Sequence, residues 1–126
     1  MKKTVVVFER DVKSSELKGL FENYDGDIVI NGSLEIDDVG TTVCCGNIYT
    51  EKIDSYANSE MHIIGDIISL NICCVNLKVN GNLHSLGDFD ANSLDIIGDI
   101  YVSGKMRVIN LHNKGGIYAT DVTLGR

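Results

Sequence analysis

The chain contains no proline and no tryptophan, and aromatic residues make up only 6% of its 126 positions. Without proline there are no Pro-rich linkers, and no backbone N–H is lost from a strand ladder. Cations are scarce: 11 Lys and Arg face 18 Asp and Glu, for a formal net charge of −7. That balance argues against a broad phosphate-binding surface, so no nucleic-acid partner is expected. An acidic surface instead suits solubility, a basic partner, or imitation of nucleic acid. Long apolar runs are missing as well. The opening MKKTVVVFERD loses its apolar character after Phe8, too soon for a signal-peptide core or a membrane span, and a cytoplasmic protein is expected.

What the chain does have is glycine, 13 residues of it, in a recurring phrase. Placed in register, Gly26, Gly46, Gly65, Gly81, Gly98 and Gly115 stand 20, 19, 16, 17 and 17 residues apart. Two residues after each comes an aliphatic side chain: Ile28, Ile48, Ile67, Leu83, Ile100 and Ile117. In the middle copies the residues two before (Ile63, Val79, Ile96) and four before (Met61, Leu77, Leu94) are apolar too. Six after lie Gly32, Gly87 and Gly104, with Asn71 in the remaining copy. Eight after come Leu34, Cys73, Phe89 and Met106, and ten after come Ile36, Val75, Ala91 and Val108. Residues two apart on a strand share a face. Each copy therefore reads as short strands with one apolar face, separated by corners where glycine or asparagine accepts positive φ.

One copy cannot hide such a face, but stacked copies can. The expectation is an all-β, right-handed parallel β-helix of about five to six coils spanning residues 24–126, with a short N-terminal strand and helix cap over residues 1–23. The N-terminal segment departs from the repeat: KTVVVFE reads as a strand, and Leu17, Leu20, Phe21 and Tyr24 mark one helical face. Extra residues in the two long coils fall around Asp37 to Gly40 and in the polar stretch 50–60, which predicts an outward loop that is the first place to look for specific recognition. At the C-terminus the last coil stops without a helix. Ile117, Val122 and Leu124 then sit at an uncovered end, a candidate self-association site.

Motifs that carry chemistry are few. Cys44-Cys45 and Cys73-Cys74 are adjacent pairs, which is neither a disulfide framework nor the spaced pattern of a zinc site. The register puts Cys44 and Cys73 in the core and turns Cys45 and Cys74 outward or to a corner. His62, His84 and His112 belong to different coils and face out. Asp27, Asn47, Asp66, Asn82 and Asp99 each follow an anchor glycine and should form a column with turn chemistry. No nucleophile–base–acid set and no phosphate loop is visible. No enzyme activity, catalytic residue, cofactor or metal site is expected.

The phrases DGDIVINGSLEI, MHIIGDIIS, LKVNGNLHS and LDIIGDIYVSGKMRV make residues 24–120 resemble the bactofilins, bacterial polymer-forming scaffold proteins. The resemblance implies a right-handed β-helix that joins end to end and supports cell-shape or envelope machinery. The N-terminal segment and the two uneven coils depart from that pattern. The function expected is a non-catalytic scaffold whose partner is itself, end to end, or another protein. Alternatives are an acidic solenoid that mimics nucleic acid and a solenoid enzyme.

Overall fold

A computed structural model describes residues 4–17, 26–37, 40–55 and 59–125. The strands are β1 (Thr4–Phe8), β2 (Val12–Lys13), β3 (Gly26–Ile36), β4 (Gly40–Cys45), β5 (Asn47–Ser55), β6 (Ser59–Ile64), β7 (Ile67–Val79), β8 (Leu83–Ser85), β9 (Phe89–Ile96), β10 (Ile100–Asn113) and β11 (Ile117–Leu124). A single helical turn, α1 (Ser14–Leu17), follows β2. All eleven strands join one sheet with parallel pairing, coiled into a β-solenoid of about five turns. Parallel pairing between coils is what a repeated strand needs when each copy lies on the one before it.

The coil has three sides. The first stacks β1, the start of β3, the start of β5, the start of β7, β8, the start of β10 and the start of β11. The second carries β2, the later parts of β3 and β5, the middle of β7, the start of β9, the middle of β10 and the end of β11. The third carries β4, β6 and the ends of β7, β9 and β10.

Inside, like residues lie in line. Val6, Ile28, Ile48, Ile67, Leu83, Ile100 and Ile117 form one column down the first side. Val12, Leu34, Ile53, Ile72, Phe89, Met106 and Val122 form the matching column of the second. Met61, Leu77, Leu94 and Leu111 line the third. Burying one such side chain contributes about 1.5–3 kcal/mol, so these columns dominate the stability of the rod. Thr50, Ser69 and Ser85 are buried polar residues at the end of the first side. Their hydroxyls donate to the corner carbonyls of Gly32, Asn71 and Asp88 at 2.9, 3.0 and 2.7 Å. A buried hydroxyl with a partner costs little, and here it ties a corner to the core.

The first-to-second corner comes in two lengths. Ser85 to Phe89 and Val102 to Met106 take four steps, whereas Thr50 to Ile53 and Ser69 to Ile72 take three, because Ile72 pairs with Phe89. The expectation for the second cysteine pair is therefore corrected. Cys74 is buried and lines up with Ala91, while Cys73 is exposed beside Asp90. Val75 likewise leaves the core column for a half-buried place. One residue fewer at the corner reverses the side chains that follow it, up to the next corner.

The N-terminal segment also differs from expectation. Residues 4–13 follow the repeat as a coil of their own, with Val6 on Ile28, Phe8 on Ile30 and Val12 on Leu34. Leu17 of α1 is fully buried; Leu20, Phe21 and Tyr24 lie outside the described residues. In the stretch 50–60, β5 runs to Ser55 and β6 begins at Ser59, and Thr50, Ile53 and Ser59 are buried. Residues 50–55 and 59–60 are thus strand and not the expected outward loop, and residues 56–58 lie outside the described ones.

Glycine is needed at the anchor column for two reasons. Gly46 has φ 112°, a conformation that costs a side-chain-bearing residue dearly. Gly98 has no such φ. A Cβ there would run into the carbonyl of Gly81 and the side-chain oxygen of Asn82, in the coil before it. Close approach between coils, more than turning, keeps glycine in this column.

Candidate interaction surfaces

The two ends of the rod are unlike. In the first coil Val12, Ser14 and Leu17 are each 0% exposed. In the last coil the equivalent of Val12 is Val122, which is 40% exposed, and Leu124 is 52% exposed. Ile117 is half-buried at the end of its core column. Thus two of the three residues expected at an uncovered end are open and the third is partly covered. β11 pairs with β10 and closes the strand order, which leaves its outer edge without a ladder among the described residues.

α1 is held by a set of short bonds to the end of β3. The Asp37 carboxylate accepts from the Ser15 backbone N–H (3.0 Å), the Ser15 hydroxyl (2.9 Å) and the Ser14 hydroxyl (3.1 Å). The Asp37 N–H donates back to Ser14 Oγ at 3.0 Å. Partial burial pushes the Asp37 carboxyl upward, but the bonds from Ser15 and Ser14 outweigh it and hold the group below its ordinary value. On the outside of the same turn Arg10 and Glu16 meet at 2.8 Å, which raises the guanidinium and lowers the carboxyl from their usual ranges.

The corner column after the anchor glycines is a chain of hydrogen bonds. Asn47 Oδ1 accepts from the Asp66 N–H at 2.9 Å, Asp66 Oδ1 from the Asn82 N–H at 2.8 Å, and Asn82 Oδ1 from the Asp99 N–H at 2.8 Å. Asp99 Oδ1 accepts from the Gly116 N–H at 2.8 Å, and Asn47 Nδ2 donates to Asp27 Oδ1 at 2.9 Å. Each side chain satisfies a corner N–H that the strand ladder leaves out. A shorter second column repeats the device: Asp11 serves Ser33, Asn71 serves Asp88, and Asp88 serves Lys105.

Cys44 is buried, and its thiol is pushed up to about 12 by burial and then by its neighbour Cys45. Cys74 is pushed up more strongly for the same reasons, with Asp90 adding to them. None of the four cysteines is in a disulfide. His62 and His84 are half-buried, His112 is exposed, and they stand on different coils. Among the described residues no three His, Cys, Asp or Glu side chains are grouped to hold a metal ion. No helix among them is long and apolar enough to cross a membrane, which says nothing of β-barrel proteins.

One surface escapes the repeat reading as made above. Three residues after each anchor glycine stand Val29, Tyr49, Ile68, His84, Tyr101 and Tyr118, in register down the outside of the first side. The His84 and Tyr101 rings stack at 4.5 Å between centroids, and Tyr101 and Tyr118 at 5.0 Å. Such a pair adds about 0.5–1.5 kcal/mol beyond its buried area. Leu70 (47% exposed) and Leu86 (56% exposed) project beside this stripe. The Tyr101 hydroxyl donates to Asp99 Oδ2 at 3.2 Å. Burial first, then the charges of Asp27 and Asp66 for Tyr49 and of Asp99 for Tyr101, raise both phenols. The signal was present in the sequence: three of the five tyrosines share this one repeat position.

Compared with protein-family models, with curated proteins and with solved structures, the chain matches none.

Proposed function

We propose that this chain is a non-catalytic structural scaffold of bactofilin type, acting in a bacterial cytoplasm and associating through the end of its solenoid. The observation that supports this reading is the contrast between Val12, fully buried in the first coil, and Val122, 40% exposed at the same column position in the last. An open strand edge with apolar neighbours is stabilised by adding another strand. With the second side of the other end covered at Val12 and Leu17, the partner assigned to β11 is the β11 of a second copy, which gives a closed two-fold pair. Longer assembly then requires the first coil to give way.

Sizing and electron microscopy of the purified 126-residue protein, with and without residues 1–24, test this. The whole chain is expected to run as a dimer, and Val122→Lys with Leu124→Lys to return it to monomer. Removing residues 1–24 bares the edge of β3 and is expected to give filaments. A monomer in every case defeats the proposal.

A further inference from the structure

Among the described residues the first side of the rod carries no Lys or Arg. Its described strand and corner residues, 5–9, 26–31, 47–51, 66–70, 82–86, 99–103 and 116–120, include Glu9, Asp27, Glu51, Asp66 and Asp99 but no Lys or Arg. Of the basic side chains at the corners that bound it, Arg10 pairs with Glu16 and Lys52 with Asp54 at 3.3 Å on the second side, while Lys105 and Lys114 stand at corners of the last two coils. The donors to Asp66 and Asp99 are backbone N–H groups and a phenol, all neutral, so neither carboxylate is paired with a cation among the described residues. The raised phenols of Tyr49 and Tyr101 agree with a negative field along the stripe. Beside these acids run Tyr49, Ile68, Leu70, His84, Leu86, Tyr101 and Tyr118.

We infer that this side is the docking surface for a basic amphipathic helix of a partner protein, its apolar stripe laid along the ring column and its Lys or Arg residues beside Asp66, Asp99 and Glu51. The lengths agree. Val29 to Tyr118 spans five inter-coil steps, roughly 24 Å at strand spacing, which a helix of about 16 residues covers. A helix with one apolar stripe is the element that packs on a sheet face, whereas an added strand needs an edge. Charge decides against two other occupants. A second copy laid side on side sets Asp66, Asp99 and Glu51 against acids of the same surface, and an anionic membrane repels it. Naming what a side of the rod holds rests on the scaffold reading but not on association through β11.

The probe is a fluorescent peptide of about 16 residues with leucine on one helical face and lysine on the others. It is titrated into the 126-residue protein by anisotropy, with its glutamate counterpart as control. Leu70→Ser with Leu86→Ser is expected to weaken binding about tenfold, a loss near 1.4 kcal/mol. Asp66→Asn with Asp99→Asn keeps the corner acceptors and is expected to weaken binding and flatten its salt dependence. Asp90→Asn with Asp121→Asn, on the second side, is expected to leave it unchanged. Equal loss in the second-side pair, no loss in either first-side pair, or equal binding of the glutamate peptide overturns the inference. So does a fall in the protein's own sedimenting mass on Leu70→Ser with Leu86→Ser, which marks a second copy as occupant, or tighter binding to anionic vesicles than to the peptide. A monomer in the sizing experiment leaves the peptide result untouched, so the two failures are distinct.

Discussion

The side-chain oxygen of Asn82 lies 2.8 Å from the backbone nitrogen of Asp99, one coil further along. That bond crosses between coils at a corner, where the strand ladder has been interrupted. It makes an amide or carboxylate oxygen at this position part of the stacking, whatever its charge. Asn82→Leu is expected to leave the Asp99 N–H unpaired and to cost about 1–3 kcal/mol in urea unfolding. Asn82→Asp keeps the acceptor but sets a charge between Asp66 and Asp99. Its smaller loss is expected to shrink as salt is added.

Gly98→Ala is expected to be among the most damaging single-methyl changes in the chain. The new Cβ meets the Gly81 carbonyl, which is backbone and cannot swing aside. Separating the coils there also strains the Asn82 bond. A loss of about 1–3 kcal/mol, typical of overpacking, is expected in thermal or urea unfolding.

Labelling of the native protein with a thiol reagent, followed by peptide mapping, separates the two cysteines of the second pair. Cys73 is exposed and is expected to react at once. Cys74 and Cys44 are buried and are expected to react only as the protein opens. Reversed reactivity at 73 and 74 would mean that the short corner at Asn71 is misplaced.

Both buried thiols also carry a pH dependence. A group whose pKa is higher in the folded state holds its proton more tightly there. Its contribution is complete below the ordinary thiol value of 9.0 and is lost as pH rises towards about 12, the value for Cys44. Stability is expected to fall above pH 9.0 by up to about 1.4 kcal/mol per pH unit for each thiol. Cys44→Val, which suits a column shared with Ile63 and Val79, is expected to flatten that slope in unfolding measured across the alkaline range.

Asp37 behaves in the opposite sense. Its pKa is lowered on folding, so its contribution is present above the ordinary value of 3.8 and disappears as pH falls below it. Asp37→Ala is expected to cost roughly 1 kcal/mol near neutrality, because the carboxylate is partly screened by solvent. The difference from the unaltered protein is expected to vanish in acid. A gap that persists at low pH would assign the loss to packing.

The alternation around Gly65, Gly81 and Gly98 made most of the coils readable from the residues, because the sides are strands and the interior takes every second side chain. Two features were hidden for physical reasons. The corner at Asn71 is one residue shorter than that at Gly87-Asp88, and a corner has no alternation by which to count; only the glycine missing at that place marked it. The first coil was missed because it has no anchor glycine. Thr4 stands opposite Gly26, and β1 comes first in the stacking order, so no preceding carbonyl demands a bare α-carbon there. Among the surface residues, Val122 and Leu124 were legible from the repeat, but the ring column was not. The alternation within a coil marks only which side chains point inward, and the ring column exists only across coils.

The unequal corners have one further effect. A residue gained or lost at a bend alters the girth of the molecule and leaves its pitch alone. Tyr101 and Tyr118 remain one rung apart however the chain between them is lengthened at a bend. Such a body meters distance along its axis in fixed graduations of about 4.8 Å, and whatever lies against it finds evenly spaced footholds.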